Sequence, residues 1–255
     1  MAIAAPTVVR LSRGYVRVQG PDAEDFLERM LSNEVLSLDS GESRQALLLT
    51  PKSRIVAPLR VVREAPDSFL LITDAEPAEA VTTALARARF AAKCEIESVP
   101  LRGFLHLADP GRGVRNDDYG VEAWETWEDE DLEGAVASEE LELLRIEAGT
   151  PAWGKELDET VLPAEAGLDE THVSFTKGCY PGQEPIARLH YRGRPNRRLR
   201  RLSVAQARAG DEIRLGDKVV GRVTSAVSGR ALGYVRREVP EEARLSIGGQ
   251  DARLD

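Results

Sequence analysis

Beyond Asn196 the chain changes texture, and this change constrains the fold more than any other feature of the sequence. Short runs alternating apolar and polar residues (200–204, 212–215, 218–225, 231–236 and 243–247) are separated by Gly210-Asp211, Gly216-Asp217, Ser228-Gly229 and Pro240. Gly-, Asp- and Ser-rich turns of this kind join neighbouring antiparallel strands. Evenly spaced strands of this length point to a small antiparallel barrel, which closes its own edges. The spacing therefore predicts a barrel domain over residues 196–255 and a separate region over residues 1–195.

That first region mixes the two hydrophobic periods. Val8, Val9, Leu11, Tyr15, Val16 and Val18 read as a hairpin turning at Ser12-Arg13-Gly14. Asp22 is placed to cap a helix whose Phe26, Leu27, Met30 and Leu31 share one face. A second hairpin is expected over 45–50 and 54–63 around Pro51-Lys52-Ser53, then a strand over 68–73, a helix over 78–91, and strands over 94–96 and 101–107. The Gly-, Asp- and Glu-rich stretch 109–133 reads as a long surface connection. Ser138 opens a further helix with Leu141, Leu144 and Ala148 on one face, ending at Gly149. Residues 150–196 lack periodicity and are expected to be held by tertiary contacts.

The two cysteines, Cys94 and Cys179, cannot build a disulfide framework and suit a reducing compartment. With no apolar run near the ~20 residues of a membrane helix and no secretory pattern at the N-terminus, a cytoplasmic protein without a membrane partner is expected. The net charge of -9 argues against a general nucleic-acid binder, so no direct nucleic-acid partner is expected. The charge is uneven, however. Residues 188–201 hold Arg188, Arg192, Arg194, Arg197, Arg198, Arg200 and Arg201 with no acid among them, which leaves room for a local anion site. Phosphate-loop, dinucleotide and nucleophile-elbow motifs are missing. His106, His172 and His190 lack ligand spacing, and two cysteines fall short of the four thiolates of a typical cluster, so no resident metal is expected.

The chemistry concentrates in Lys177-Gly178-Cys179-Tyr180-Pro181-Gly182-Gln183-Glu184. Tyr180-Pro181-Gly182-Gln183 fits a type II turn, Pro presetting its second position and Gly supplying positive φ at its third. Such a turn brings Gln183 and Glu184 back toward Cys179, while Lys177 and Arg188 are cations able to lower a thiol pKa. A small buried cysteine on a tight turn satisfies the same residues.

The octapeptide matches the signature K-G-C-[FY]-x-G-Q-E of the YgfZ-like proteins, relatives of the glycine-cleavage T-protein. The resemblance extends to Leu144-Arg145-Ile146-Glu147-Ala148-Gly149, Gly154-Lys155-Glu156-Leu157, Leu162-Pro163-Ala164-Glu165-Ala166-Gly167-Leu168 and Phe175-Thr176, and upstream to Gly20-Pro21-Asp22-Ala23 and Leu49-Thr50-Pro51-Lys52. It implies an α+β, GcvT-like ring of three subdomains around a central folate channel. Two are α/β subdomains with antiparallel sheets, and the third is the small C-terminal β-barrel. Tetrahydrofolate is then the implied cofactor. Cys179 and Lys177 become the implied reactive pair, with Gly178, Tyr180, Gly182, Gln183 and Glu184 as their motif. Glu147 is the candidate for the pterin edge, with an exposed helix acid as its alternative. Arg145 and Arg188 are further cofactor candidates, and Arg188, Arg192 and Arg194 are candidates for the glutamate tail, with a solvated basic face as the alternative for each.

Two function classes follow from the resemblance. One is a folate-dependent aminomethyltransferase or other one-carbon transferase. The other is a maintenance factor of the YgfZ type, supporting iron–sulfur cluster assembly or repair and, indirectly, tRNA modification, with iron–sulfur proteins or cluster-assembly factors as clients. Where the T-protein hairpin carries an aspartate, this chain reads Ala57-Pro58, and the T-protein lacks the motif cysteine. Both departures favour the maintenance factor.

Overall fold

A computed structural model describes residues 8–132 and 139–255 of the chain. In chain order its elements are β1 (Val8–Leu11), β2 (Arg13–Gln19), α1 (Ala23–Met30), β3 (Ser43–Leu49), β4 (Ile55–Ala65), β5 (Ser68–Asp74), α2 (Ala78–Ala88), β6 (Glu95–Val99), β7 (Arg102–His106), β8 (Val114–Arg115) and β9 (Trp124–Glu128). After these come α3 (Glu139–Ala148), α4 (Gln183–Arg192), β10 (Arg197–Val204), β11 (Glu212–Leu215), β12 (Lys218–Val227), β13 (Arg230–Arg236), β14 (Leu245–Ile247) and β15 (Gln250–Leu254). Ser138, expected to open α3, lies outside the described residues.

The anticipated first hairpin does not form. β1 pairs with β7, setting Val9 opposite Leu105, whereas β2 lies between β5 and β6 in another sheet. The two strands part because their apolar faces find different cores. Val9 is buried with Leu105 and Ala123, while Val16 and Val18 pack with Phe26, Leu27, Phe69 and Leu71. Arg13, read from the sequence as part of a turn, is instead the first residue of β2.

Two antiparallel sheets result, ordered β3-β4-β5-β2-β6 and β1-β7-β9-β8. The larger sheet carries α1 and α2 on one face, where burying a side chain such as Phe26 or Leu27 contributes about 2–3 kcal/mol. The Asp22 carboxylate does not cap α1; it accepts the Lys93 backbone N–H at 2.7 Å and ties the helix entry to the approach of β6. The stretch read as a surface connection contains β8 and β9, and Glu125 on β9 is fully buried.

The last segment closes into a barrel in the order β10-β13-β12-β11-β14-β15. Ser228 and Gly229, at φ 49° and 84°, form the turn between β12 and β13, with the positive φ at both positions that a tight hairpin requires. Gly248 and Gly249, at φ 58° and 81°, do the same between β14 and β15, a last strand that the sequence pattern did not single out. Among the described residues, no helix is long and apolar enough to cross a membrane.

Candidate functional site

The two sheets, the connection 149–172 and the barrel meet around a cavity of roughly 460 Å³. Arg13 on β2, Pro58 and Arg60 on β4 and Asp74 at the end of β5 form one wall; Asp117, Asp118 and Tyr119 form another. Residues 148–152, 166–168, Thr171 and His172 complete the ring, with Leu199 contributed by the barrel.

Arg13 organises this space. Its Nε donates to Glu125 Oε1 at 2.9 Å, Nη1 to Asp74 Oδ1 at 3.0 Å, and Nη2 to Asp118 Oδ2 and Glu125 Oε2, both at 3.3 Å. Arg60 donates to Asp118 Oδ1 at 3.3 Å, and Gln45 Nε2 reaches the same oxygen at 3.1 Å. Asn116 Nδ2 donates to Glu125 Oε2 at 2.7 Å, so the buried carboxylate is satisfied on both oxygens. Burial pushes the Asp118 carboxyl up, yet Arg60 and Arg13 outweigh it and hold this acid below the ordinary carboxylate range. Asp118 is thus a fixed hydrogen-bond acceptor and a poor base. Burial also pushes the Tyr119 hydroxyl up to about 12.

His172 enters the cavity on a strap fixed at several points. Ser32 Oγ donates to the His172 carbonyl at 2.6 Å and accepts the Leu47 N–H at 2.7 Å; Ser174 N donates to the Ser32 carbonyl at 2.9 Å. The ring Nδ1 lies 2.7 Å from Thr171 Oγ1. Burial lowers the His172 pKa to about 4, a drop opposed by Asp118 and reinforced by Arg60, so the imidazole is neutral at physiological pH. No sequence motif marked His172, because it stands alone in the chain and acquires its neighbours only through the ring.

The octapeptide folds as a type II turn. Gly182 has φ 83° and ψ 5°, and the Gln183 N–H points at the Tyr180 carbonyl at 3.3 Å. A Cβ at Gly182 would sit 2.5 Å from the Thr50 carbonyl oxygen, and Ser53 Oγ donates to the Gly182 carbonyl at 2.6 Å. The turn is therefore pressed against the loop between β3 and β4, the other segment that carried the family likeness. Gly182 also caps α4, a helix missed in the sequence because Pro185 falls within it; in the first turn the missing N–H costs nothing.

Lys177 has a different role from the one expected. Its side chain is 1% exposed, and Nζ donates to the carbonyls of Glu28, Leu31 and Asn33 at 2.7, 2.9 and 2.8 Å while facing Glu28 Oε1 at 3.2 Å. All three ammonium hydrogens are thereby committed to the C-terminal end of α1, where helical carbonyls lack partners. Burial lowers its pKa, partly restored by Glu28. Lys177 is an anchor and has no donor left for the Cys179 thiol. Tyr180 is buried beside it, with its hydroxyl unpartnered, while Gly178 and Cys179 are exposed. Cys179 does not line the central cavity.

The other candidates are also redistributed. Glu147 points away from the cavity and pairs with Arg230 Nε at 3.4 Å, because it lies on the barrel side of α3. Arg145 is buried at the cavity edge, donating to Glu142, to Glu156 Oε2 at 2.8 Å and to Ser225 Oγ at 2.9 Å, which clamps α3 to the barrel. Arg188 and Arg192 on α4 flank a separate apolar recess, and Arg194 lies beyond the helix; none of the three reaches the cavity. Gln183 is half-buried and Glu184 exposed at the start of α4. Among the described residues, no group of three His, Cys, Asp or Glu side chains is placed to hold a metal ion.

Comparison with known proteins agrees with this architecture. Residues 11–105 match the family described as the GCVT N-terminal domain, and residues 196–255 match the CAF17 C-terminal beta-barrel domain. The chain is 27% identical to an uncharacterized protein of Haemophilus influenzae, over 84% of this chain and 81% of that protein. It is 24% identical to an iron–sulfur cluster assembly factor IBA57 homolog of Pyricularia oryzae, over 74% of this chain and 54% of the relative. To the tRNA-modifying protein YgfZ of Klebsiella pneumoniae it is 38% identical, over 33% of this chain and 28% of that one. The fold matches the crystal structure of glycine cleavage system aminomethyltransferase T from Bartonella henselae, with a TM-score of 0.84 at 22% identity, covering 98% of this chain and 84% of the other.

Proposed function

This chain belongs to the YgfZ/GcvT-like family, and we propose that it is a cytoplasmic folate-binding factor supporting iron–sulfur cluster assembly or repair and, indirectly, tRNA modification. The observation that carries this reading is the cavity at the junction of the sheets and the barrel, with its acids already locked to arginines. Its volume of roughly 460 Å³ lies within the ~300–1,000 Å³ typical of small-molecule sites.

The donor set suits a pterin. A pterin presents a row of N–H groups beside a carbonyl, and a carboxylate flanked by amide and guanidinium donors complements such an edge. Asp118 with Gln45 and Arg60 would hold that edge, with Tyr119 and Leu168 supplying apolar cover. Tetrahydrofolate supplies a carrier for one-carbon units when bound. The chain's own residues orient and desolvate such a ligand, and the neutral His172 offers a hydrogen-bonding imidazole without a second positive charge beside Arg60.

A transferase needs a base near the reacting nitrogen. Ala57 is buried in the core and Pro58 meets the cavity with a ring that neither donates nor accepts, while Asp74, Asp118 and Glu125 are each paired with Arg13. This favours binding over turnover. Cys179 stands apart, on the outer surface, where a thiol meets what partners bring, such as a cluster or a persulfide, rather than a ligand inside the ring.

Calorimetric titration of the full chain with tetrahydrofolate tests the proposal. Binding should raise apparent stability by about 2.7 kcal/mol at a hundredfold excess over Kd, and Gln45→Leu should weaken it. No heat and no thermal shift at millimolar ligand would remove the folate assignment.

A further inference from the structure

The arginine run of residues 188–201 is sorted by the fold into two populations. Arg197 pairs with Glu165 at 3.0 Å and covers the Tyr234 ring at 4.5 Å, and Arg201 donates to the Glu147 carbonyl at 2.8 Å. These are structural. By contrast, Arg194, Arg198 and Arg200 converge with Arg236 and Arg237 on a recess of roughly 480 Å³, whose one acidic lining residue is Glu241. The recess is built by strand register: β10 and β13 pair antiparallel with Arg197 opposite Arg236, and Arg237 N donates to the Asn196 carbonyl at 3.0 Å.

Its charge is poorly compensated. Arg200 reaches Glu241 at 3.4 Å and Arg236 reaches Glu238 at 3.7 Å. Among the described residues, no carboxylate pairs with Arg194, Arg198 or Arg237, all three exposed. Five guanidiniums around one recess repel one another unless an anion joins them. The overall charge of -9 weighs against a general nucleic-acid binder but not against a local anion site, because charges beyond a Debye length of about 8 Å are largely screened at physiological salt. Guanidinium forks match phosphate oxygens in pairs.

The neighbouring aromatic group narrows the choice of anion. Tyr191, three residues before Arg194, is 67% exposed, set edge-on to His190 at 4.9 Å; His190 is stacked on Phe175 at 3.8 Å. An exposed ring three residues along the chain from the unpaired Arg194 offers a single strand a base-stacking surface next in sequence to cations for its phosphates. We propose that the arginine recess on the barrel, together with Tyr191, binds the backbone of single-stranded nucleic acid. This site is separate from the central cavity and does not rest on the folate reading.

Fluorescence anisotropy of the full chain with a labelled single-stranded RNA of about 12 nucleotides tests it. Three unpaired arginines, at ~0.7 counterions each, predict roughly a 20-fold loss of affinity for a fourfold rise in salt. The triple variant Arg194→Glu, Arg198→Glu, Arg237→Glu should weaken binding at least about tenfold and flatten that salt dependence. Tyr191→Ala should weaken it about fivefold or more. An unchanged thermal midpoint checks that these surface variants fold. The proposal is overturned if the triple variant binds as the parent does, if the parent fails to bind at low salt, or if it binds anionic lipid vesicles but not RNA.

Discussion

Replacing His172 by Gln should remove a specific component of the protein's pH sensitivity. The folded imidazole has a pKa of about 4 against 6.5 for a free histidine. Between those values the unfolded chain holds a proton that the folded chain refuses, so unfolding takes up a proton and stability falls with decreasing pH. At about 1.4 kcal/mol per unit, the full window is worth about 3 kcal/mol, of which about 2 kcal/mol is lost between pH 7 and pH 5. Asp118 is silent there: its depressed pKa gives stability that is present above the ordinary carboxylate value of 3.8 and lost only as pH falls through its lower, folded-state value. His106, also lowered by burial, adds a loss of the same sign to parent and variant alike. Urea denaturation of both proteins at pH 7 and pH 5 therefore isolates His172 by difference. Gln fills similar space and retains an amide for Thr171. If parent and variant lose the same stability over that interval, a buried neutral imidazole at the cavity wall is wrong.

Two further substitutions separate the anchor from the thiol within the octapeptide. Lys177→Met strands three carbonyls and Glu28, and should cost about 3 kcal/mol in chemical denaturation. Cys179→Ala should leave the melting temperature unchanged yet abolish support of cluster-dependent enzymes in cells; retention of that support would take the thiol out of the function. Tyr180→Phe removes a buried hydroxyl that has no partner, so stability should hold or rise by up to about 1 kcal/mol. A loss would mean that the hydroxyl is bonded after all, and tolerance of Phe agrees with the family signature.

The barrel was legible because its information is local: alternation and two-residue turns are written within a few residues of where they act. The type II turn at Pro181-Gly182 was legible for the same reason. What escaped is non-local. Val8–Leu11 and Arg13–Gln19 look like a hairpin until their apolar faces are seen to be claimed by different sheets. Arg13, Asp118 and Glu125 look like surface charges, and 109–133 like a loop, because the ion pairs joining them span about a hundred residues of chain. Glu147 was drawn to the cavity by its place in a motif, whereas helical phase turns it toward Arg230.

The partition of β1 from β2 has a consequence for biosynthesis. Val8–Leu11 leaves the ribosome well ahead of its partner, Arg102–His106, which is made about 95 residues later. At ~5–20 residues per second that delay is about 5–20 s, during which an apolar segment waits unpaired beside a sheet that is already able to assemble. β1 can therefore join the second sheet only once β7 exists, and a nascent chain stalled before residue 102 presents that strand to whichever chaperone or neighbour arrives first.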